Sequence, residues 1–220
     1  MVKLSKRLNS LVKYVYEGDI IMDVGCDHAL LDIYLLQNGI LNSAYVCDVN
    51  ANALQNGINN IKANGLEKKI IPILGYGIER IGELPVNTLI ISGMGTKTII
   101  NILESPNINR VYKLILQSNN NYYDLRKFIM DSGFTIINEE VVEDGKKTYL
   151  NIVAGRDRVP ARYTKEELEF GPILMKDPQY LDYFKKLRDE YEDLYFKNKN
   201  PMTKESVGII ENIIKDLSNS

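Results

Sequence analysis

Apolar positions along this chain follow two spacings, and their alternation predicts the architecture. Leu4, Leu8, Leu11, Val12 and Val15 recur at helical spacing and predict an amphipathic helix over 3–16. Lys3, Lys6, Arg7 and Lys13 are placed on the opposite side, and no acidic residue precedes Glu17, so the outer face reads as wholly basic. Short β-rich runs follow at 20–24 (IIMDV), 44–48 (AYVCD), 70–74 (IIPIL), 88–92 (TLIIS) and 113–117 (KLILQ). Helical segments are expected at 30–38, 51–64, 97–104 and 122–131. Strands separated by helices read as βαβ units, and near-continuous apolar strands imply a parallel sheet covered on both faces.

The pattern changes after Gly133. Residues 134–142 and 148–154 are strand-like and are joined across Asp144-Gly145, a hairpin signal. A boundary follows, and Thr164 with Glu167 forms a capping box for a short helix ending at Gly171-Pro172. Asp177-Pro178 opens a longer helix with a seam of Tyr180, Phe184, Leu187, Tyr191 and Leu194. After the turn 197–202, Thr203 is expected to cap a last helix with Val207, Ile210, Ile214 and Leu217 on its seam. The expected organisation is a doubly wound α/β domain over 1–158 and an antiparallel, coiled-coil-like helical hairpin over 159–220.

Composition narrows the function class. The 220 residues carry 27 Lys+Arg against 29 Asp+Glu, a net charge of −2. Neither half is basic: residues 1–155 hold 15 basic and 16 acidic side chains, and 156–220 hold 12 and 13. Any polyanion site is therefore a local patch, such as Lys3, Lys6, Arg7 and Lys13, or Lys185, Lys186 and Arg188 on the long helix. Two cysteines, Cys26 and Cys47, and one histidine, His28, show no metal-ligand spacing, so no metal is expected. The first residues are too charged for a signal peptide and no apolar run is long enough for a membrane span, which predicts a cytoplasmic chain without a membrane partner. A monomer is the default expectation.

Candidate chemistry lies at the carboxyl ends of the strands, where doubly wound sheets bind ligands. The first strand runs into Asp23-Val24-Gly25-Cys26-Asp27-His28. A dinucleotide fingerprint would need glycine at 27 and 30, where Asp27 and Leu30 stand, and no P-loop pattern is present. An acid–x–glycine turn suits a nucleoside carrying an amino acid. Asp48 ends the second strand, where a carboxylate can accept from both ribose hydroxyls or cap the next helix. Gly75-Tyr76-Gly77 and Ser92-Gly93-Met94-Gly95 leave bare backbone at the third and fourth strand ends.

With these residues in place, the chain resembles the bacterial tRNA (adenine-N1) methyltransferases that modify position 22, the TrmK family. The segments that carry the resemblance are LSKRLNSL (4–11), DVGCDHALL (23–31), GYGIERI (75–81), SGMGTKTI (92–99), LQSNNNYYDLRKFI (116–129), EDGKKTYL (143–150) and Phe170-Gly171-Pro172. It implies a Rossmann-type class I methyltransferase sheet closed by a β-hairpin, with S-adenosylmethionine as cofactor, S-adenosylhomocysteine as product, and tRNA as partner. Cofactor contacts are then expected from Asp23, Gly25, Asp27, His28, Asp48, Val49, Gly75, Tyr76, Gly77 and Gly93. The target adenine would meet Ser92, Gly93, Met94, Gly95 and Asn119, and Arg126 joins the basic residues above as an RNA contact. Three positions depart from the family pattern: Thr96 where GMGG has its last glycine, Ser118 where QPN has proline, and Tyr76 where GDG has aspartate. Tyr76 is accordingly read as a stacking contact. The competing readings are a methyltransferase for another RNA position or a small molecule, and a binding module on this fold without turnover.

Overall fold

The computed structural model describes residues 1–156 and 160–219. Seven strands form one sheet: β1 (Ile21–Val24), β2 (Ala44–Asp48), β3 (Ile70–Leu74), β4 (Thr88–Met94), β5 (Lys113–Ser118), β6 (Thr135–Asp144) and β7 (Lys147–Gly155). Their order is β3-β2-β1-β4-β5-β7-β6. The first five strands run parallel, and β7 pairs antiparallel with both β5 and β6. The strand order reverses between β2-β1 and β4, which opens a crevice at the carboxyl edge of the sheet.

The connecting helices are α1 (Lys6–Val12), α2 (Leu30–Gln37), α3 (Ala51–Ala63), α4 (Thr96–Leu103) and α5 (Tyr122–Asp131). The central strands are dry: Ile21, Met22, Leu89, Ile90, Ile91, Leu114, Ile115 and Leu116 are all 0% exposed. β3 is less covered, as befits an edge strand, with Ile71 and Leu74 exposed and Pro72 tolerated in its ladder. α1 is shorter than the expected 3–16. Its helix stops at Val12 because Tyr14 and Val15 turn inward, with the Tyr14 hydroxyl 3.0 Å from both Asn138 and Glu140 on β6.

The chain divides into two compact units, Met1–Ala161 and Arg162–Ser220. The boundary expected at 158/159 lies outside the described residues. In the second unit, the Thr164–Glu167 capping box closes reciprocally at 3.0 and 3.2 Å and opens α6 (Lys165–Phe170). α7 (Leu181–Asn198) and α8 (Pro201–Ser218) form the helical hairpin. Three details correct the reading from sequence. Pro178–Tyr180 forms a 3-10 turn, so α7 starts at Leu181. The cap of α8 is Asn200, followed by Pro201 at the first helical position, and Thr203 is a buried seam residue. Ile213, with Ile210 and Leu217, is buried on α8, whereas the α7 seam fades until Leu194 is 48% exposed.

Candidate active site

β1 delivers the chain into a loop that only part of the residue alphabet tolerates. Gly25, Asp27 and Ala29 all adopt positive φ, at 75°, 45° and 52°. Two of these are not glycine, and such strain persists where the surroundings over-determine it. Here Gly25 and Cys26 both donate to the Cys47 carbonyl, and Asn60 of α3 donates to the His28 carbonyl at 3.0 Å. Gly57 lets α3 approach, since a Cβ there would lie 3.0 Å from the Asp27 carbonyl oxygen.

A cleft of about 360 Å³ opens over this loop, lined by Gly25, Asp27, Asp48, Val49, Gly75, Tyr76, Ser92, Gly93 and Met94, among others. It shares Gly25, Asp27, Ser92 and Arg7 as walls with a neighbouring lobe of about 290 Å³ that is also lined by Asp23 and His28. Asp48 accepts from the Asn50 N–H at 2.8 Å, while Asn50 itself caps α3 through Asn52 and Ala53. Asp48 is therefore not the helix cap and remains a cleft carboxylate. Val49 and Tyr76, each more than half exposed, line the same cleft. On the other side, the register of β4 against β5 shifts between Ser92 and Met94, with Gly93 at φ 76°. That irregularity aims Met94 across the cleft, where a Cβ on Gly25 would sit 2.0 Å from the Met94 methyl.

Arg7 also lines this cleft. Its guanidinium Nη1 donates to Gln117 Oε1 at 2.8 Å, and the Gln117 amide returns a bond to the Arg7 carbonyl at 3.2 Å. Its backbone N–H donates to Asp144 at 3.0 Å, and its Cζ lies 5.5 Å from the Tyr149 ring centroid. A Cβ on Gly93 would lie 2.9 Å from Arg7 Nη1. The residue placed on the outer basic face thus points inward. Helical spacing carried the signal, because Arg7 follows Leu4 by three residues and precedes Leu11 by four, which is one face.

Below the loop lie two buried carboxyls. Burial pushes Asp23 up to about 7, with the Asp48 charge adding to the rise and its bond to Asp32 and the Arg7 charge opposing it. Asp32, fully buried on α2, is held well above the usual carboxylate range by burial and then by Asp23. Among the described residues no side chain other than Asp23 is placed to bond the Asp32 carboxyl, and the two can share a proton. Both cysteines are buried, which pushes their thiols upward.

Residues 4–152 match the family described as a methyltransferase domain. The tRNA (adenine(22)-N(1))-methyltransferase of Bacillus subtilis is 29% identical over 182 residues, 80% of this chain and 76% of that protein. TrmK of M. capricolum, solved with S-adenosylhomocysteine, is 27% identical with a TM-score of 0.82, covering 98% of both chains. A candidate tRNA (m1A22) methyltransferase of Streptococcus pneumoniae, solved with S-adenosyl-L-methionine, is 31% identical with a TM-score of 0.86, covering 96% of this chain and 100% of that one. This chain belongs to the TrmK family of methyltransferases.

Several expected TrmK site residues are relocated by the geometry. Gly77 is buried, and a Cβ there would lie 2.5 Å from Cys47 Sγ and 2.8 Å from Met22 Sδ, so it serves close packing and not the cleft. Asn119 is exposed at the end of β5, and Asn120 is the residue that meets the β4–α4 turn, accepting from the Thr96 N–H at 3.1 Å and lying 3.5 Å from a Cβ built on Gly95. Arg126 is 1% exposed and ion-paired with Glu139 at 2.7 Å, which removes it from any RNA surface. Lys3 and Lys6 are exposed as expected, while Lys13 is exposed but paired with Glu140 at 2.9 Å. Lys185 pairs with Asp182, Arg188 pairs with Asp189, and Lys186 is exposed. Two departures from the family pattern turn out to be one: Thr96 Oγ1 and Ser118 Oγ lie 2.9 Å apart, buried, and Thr96 also donates to the Asn120 carbonyl.

Proposed function

We propose that this chain transfers a methyl group from S-adenosylmethionine to N1 of adenine 22 in tRNA. The observation that carries this reading is convergence. LSKRLNSL, DVGCDHALL and SGMGTKTI meet around one cleft at the carboxyl ends of β1, β2 and β4, and EDGKKTYL, at the far end of the domain sequence, backs the Arg7 that lines it.

The residues present fit the cofactor. Asp48 offers a carboxylate to ribose hydroxyls, Val49 and Tyr76 flank the place for an adenine, and Gly25, Gly75 and Gly93 supply bare backbone. Asp27 and His28 face the second lobe, 3.6 Å apart, where an ammonium group would be held. When bound, S-adenosylmethionine supplies an electrophilic methyl on a sulfonium. The turn Ser92–Gly95 carries no titratable side chain. That suits a nucleophile whose lone pair is already available at neutral pH, for which position and not general base strength sets the rate. N1 lies on the Watson–Crick edge, so the target base must leave its stack to enter beside Ser92 and Gly93.

The site is placed in the cytoplasm by this reading. No helix among the described residues is long and apolar enough to cross a membrane. Incubating the protein with unmodified tRNA and labelled cofactor, then analysing nucleosides and nuclease fragments by mass spectrometry, is expected to give 1-methyladenosine, confined to the fragment that contains position 22. Cofactor binding with no labelled nucleoside would instead support the binding-module reading, and label at another base would support a different RNA target.

A further inference from the structure

We propose that Thr96 and Ser118 are positioning residues for methyl transfer. Their buried hydroxyls hold Asn120 as an oriented hydrogen-bond donor for the target base, beside the β4–α4 turn. This rests on the function proposed above and gives a role in it to two positions at which this chain departs from the patterns GMGG and QPN.

β4 and β5 stay paired as far as Met94 and Ser118, after the register shift at Gly93. Beyond that pair no ladder joins them, so other bonds must keep the turn after β4 beside the turn after β5. Thr96 and Ser118 are 2% and 0% exposed, and their hydroxyls lie 2.9 Å apart. Both reach the Asn120 carbonyl oxygen, at 2.7 and 3.0 Å. Two hydroxyl protons thus serve three contacts around one backbone oxygen, and the backbone of Asn120 is tied to both strand ends.

The side chain of Asn120 is held by the same turn. Its Oδ1 accepts from the Thr96 N–H at 3.1 Å, which caps α4 from outside, since Gly95 at the N-cap has no side chain to do so. Fixing Oδ1 fixes the amide plane, and with it the direction of Nδ2. Asn120 is exposed, and among the described residues nothing accepts from Nδ2. A Cβ on Gly95 would lie 3.5 Å from Nδ2, so glycine keeps that side open. The next residue, Asn121, adopts a φ of 46° without being glycine. Such strain persists where surrounding contacts over-determine the chain. An asparagine amide can meet the N6 and N7 edge of adenine, which leaves N1 free to react. A donor fixed in advance has little freedom left to lose when the base arrives.

The test is kinetic, on the full chain with unmodified tRNA and S-adenosylmethionine. The single-turnover rate is measured at saturating tRNA, tRNA affinity by filter binding, and affinity for S-adenosylhomocysteine by calorimetry. Thr96→Val keeps the shape and removes the hydroxyl. It should lower the rate about ten- to a hundredfold, as fits a misplaced reactant, with both affinities unchanged. Thr96→Ser returns the hydroxyl and should restore most of the rate. Asn120→Ala should lose as much, and adding Thr96→Val to it should cost nothing further, because the hydroxyl acts through Asn120. Rates are taken well below each variant's thermal unfolding midpoint, and Ser118→Ala carries the same expectations should Thr96→Val not fold. The proposal is overturned if the folded variant keeps the wild-type rate, if the loss falls on either affinity instead, or if it is undiminished in the Asn120→Ala background. A wild type that binds S-adenosylhomocysteine yet methylates no tRNA adenine overturns the proposed function, and this proposal with it.

Discussion

At the scale of single residues, the cleft is defined as much by its buried acids as by its exposed ones. Asp23 and Asp32 are both raised, chiefly by burial, with Asp23 at about 7 against an ordinary value of 3.8. The folded chain therefore holds protons between about pH 4 and 7 that the unfolded chain has released. Where the folded state binds more protons, stability falls as pH rises. The penalty is absent below about pH 4; the Asp23 share of it is complete above about pH 7 and is on the order of a few kcal/mol, and the Asp32 share grows for as long as its raised carboxyl keeps its proton. Asp32→Asn cannot ionise, and its amide can keep the bond to Asp23, whose carboxyl stays raised by its own burial. Urea midpoints measured from pH 4.5 to 8 should fall for the wild type and fall less steeply for Asp32→Asn, which keeps only the Asp23 contribution. An equal decline in both proteins would show that another group is responsible.

At the scale of elements, two glycines at strand ends have different jobs. Gly77 and Gly93 adopt nearly the same φ, 75° and 76°, so alanine is strained at both. At Gly77 the added methyl meets the packed sulfurs of Cys47 and Met22, whereas at Gly93 it meets the movable tip of Arg7. Gly77→Ala should therefore cost about 1–3 kcal/mol more stability than Gly93→Ala, the usual range for overpacking. Gly93→Ala should cost more affinity for S-adenosylhomocysteine, because it displaces Arg7. Urea unfolding and calorimetry on both variants separate the two effects, and the reverse ranking would return Gly77 to the cleft. From sequence the two positions look equivalent, since both lie beside a second glycine at a strand end. Only the third dimension shows which of them has a core behind it. The same reason explains what else was legible. The spacing places β2 and β3 to the residue, and α2 and α5 to within one, because period and turn chemistry are local. Asp32 sits in an apolar run where a carboxyl has no local meaning, and its partner Asp23 lies nine residues before it on a different element. Arg126 reads as a surface base because Glu139, which neutralises it, comes from β6. Thr96 and Ser118 look like two independent departures until β4–α4 and β5 bring their hydroxyls together.

At the scale of the whole molecule, the proposed function requires a chain with a net charge of −2 to hold tRNA through local clusters. Two clusters compete for that role. In the first unit, Lys3 and Lys6 stand at the start of α1, and the β6–β7 turn adds exposed Lys146 and Lys147. Asp144 of that turn bonds the Arg7 backbone, so these lysines gather near the mouth of the cleft. In the second unit, Lys185 and Arg188 are each already paired with an acid, and α7 holds five acidic side chains against four basic ones. A phosphate approaching α7 loses part of its attraction to those carboxylates, whereas in the first cluster four lysines face the two acids of the turn, Glu143 and Asp144, the latter already bonded to the Arg7 backbone. Removing one lysine–phosphate pairing should lower the slope of log affinity against log salt by about 0.7–0.9. Changing Lys3, Lys6, Lys146 and Lys147 to glutamine should therefore flatten the salt dependence by about three and weaken tRNA binding accordingly. Changing Lys185, Lys186 and Arg188 should flatten it by less than one. Affinity for S-adenosylhomocysteine should hold in both variants, because none of these side chains lines the cleft. Filter binding across a salt series ranks the clusters. If the α7 variant gives the larger change, the helical hairpin is the principal RNA surface, and the lysines around the cleft serve only to guide the target base inward.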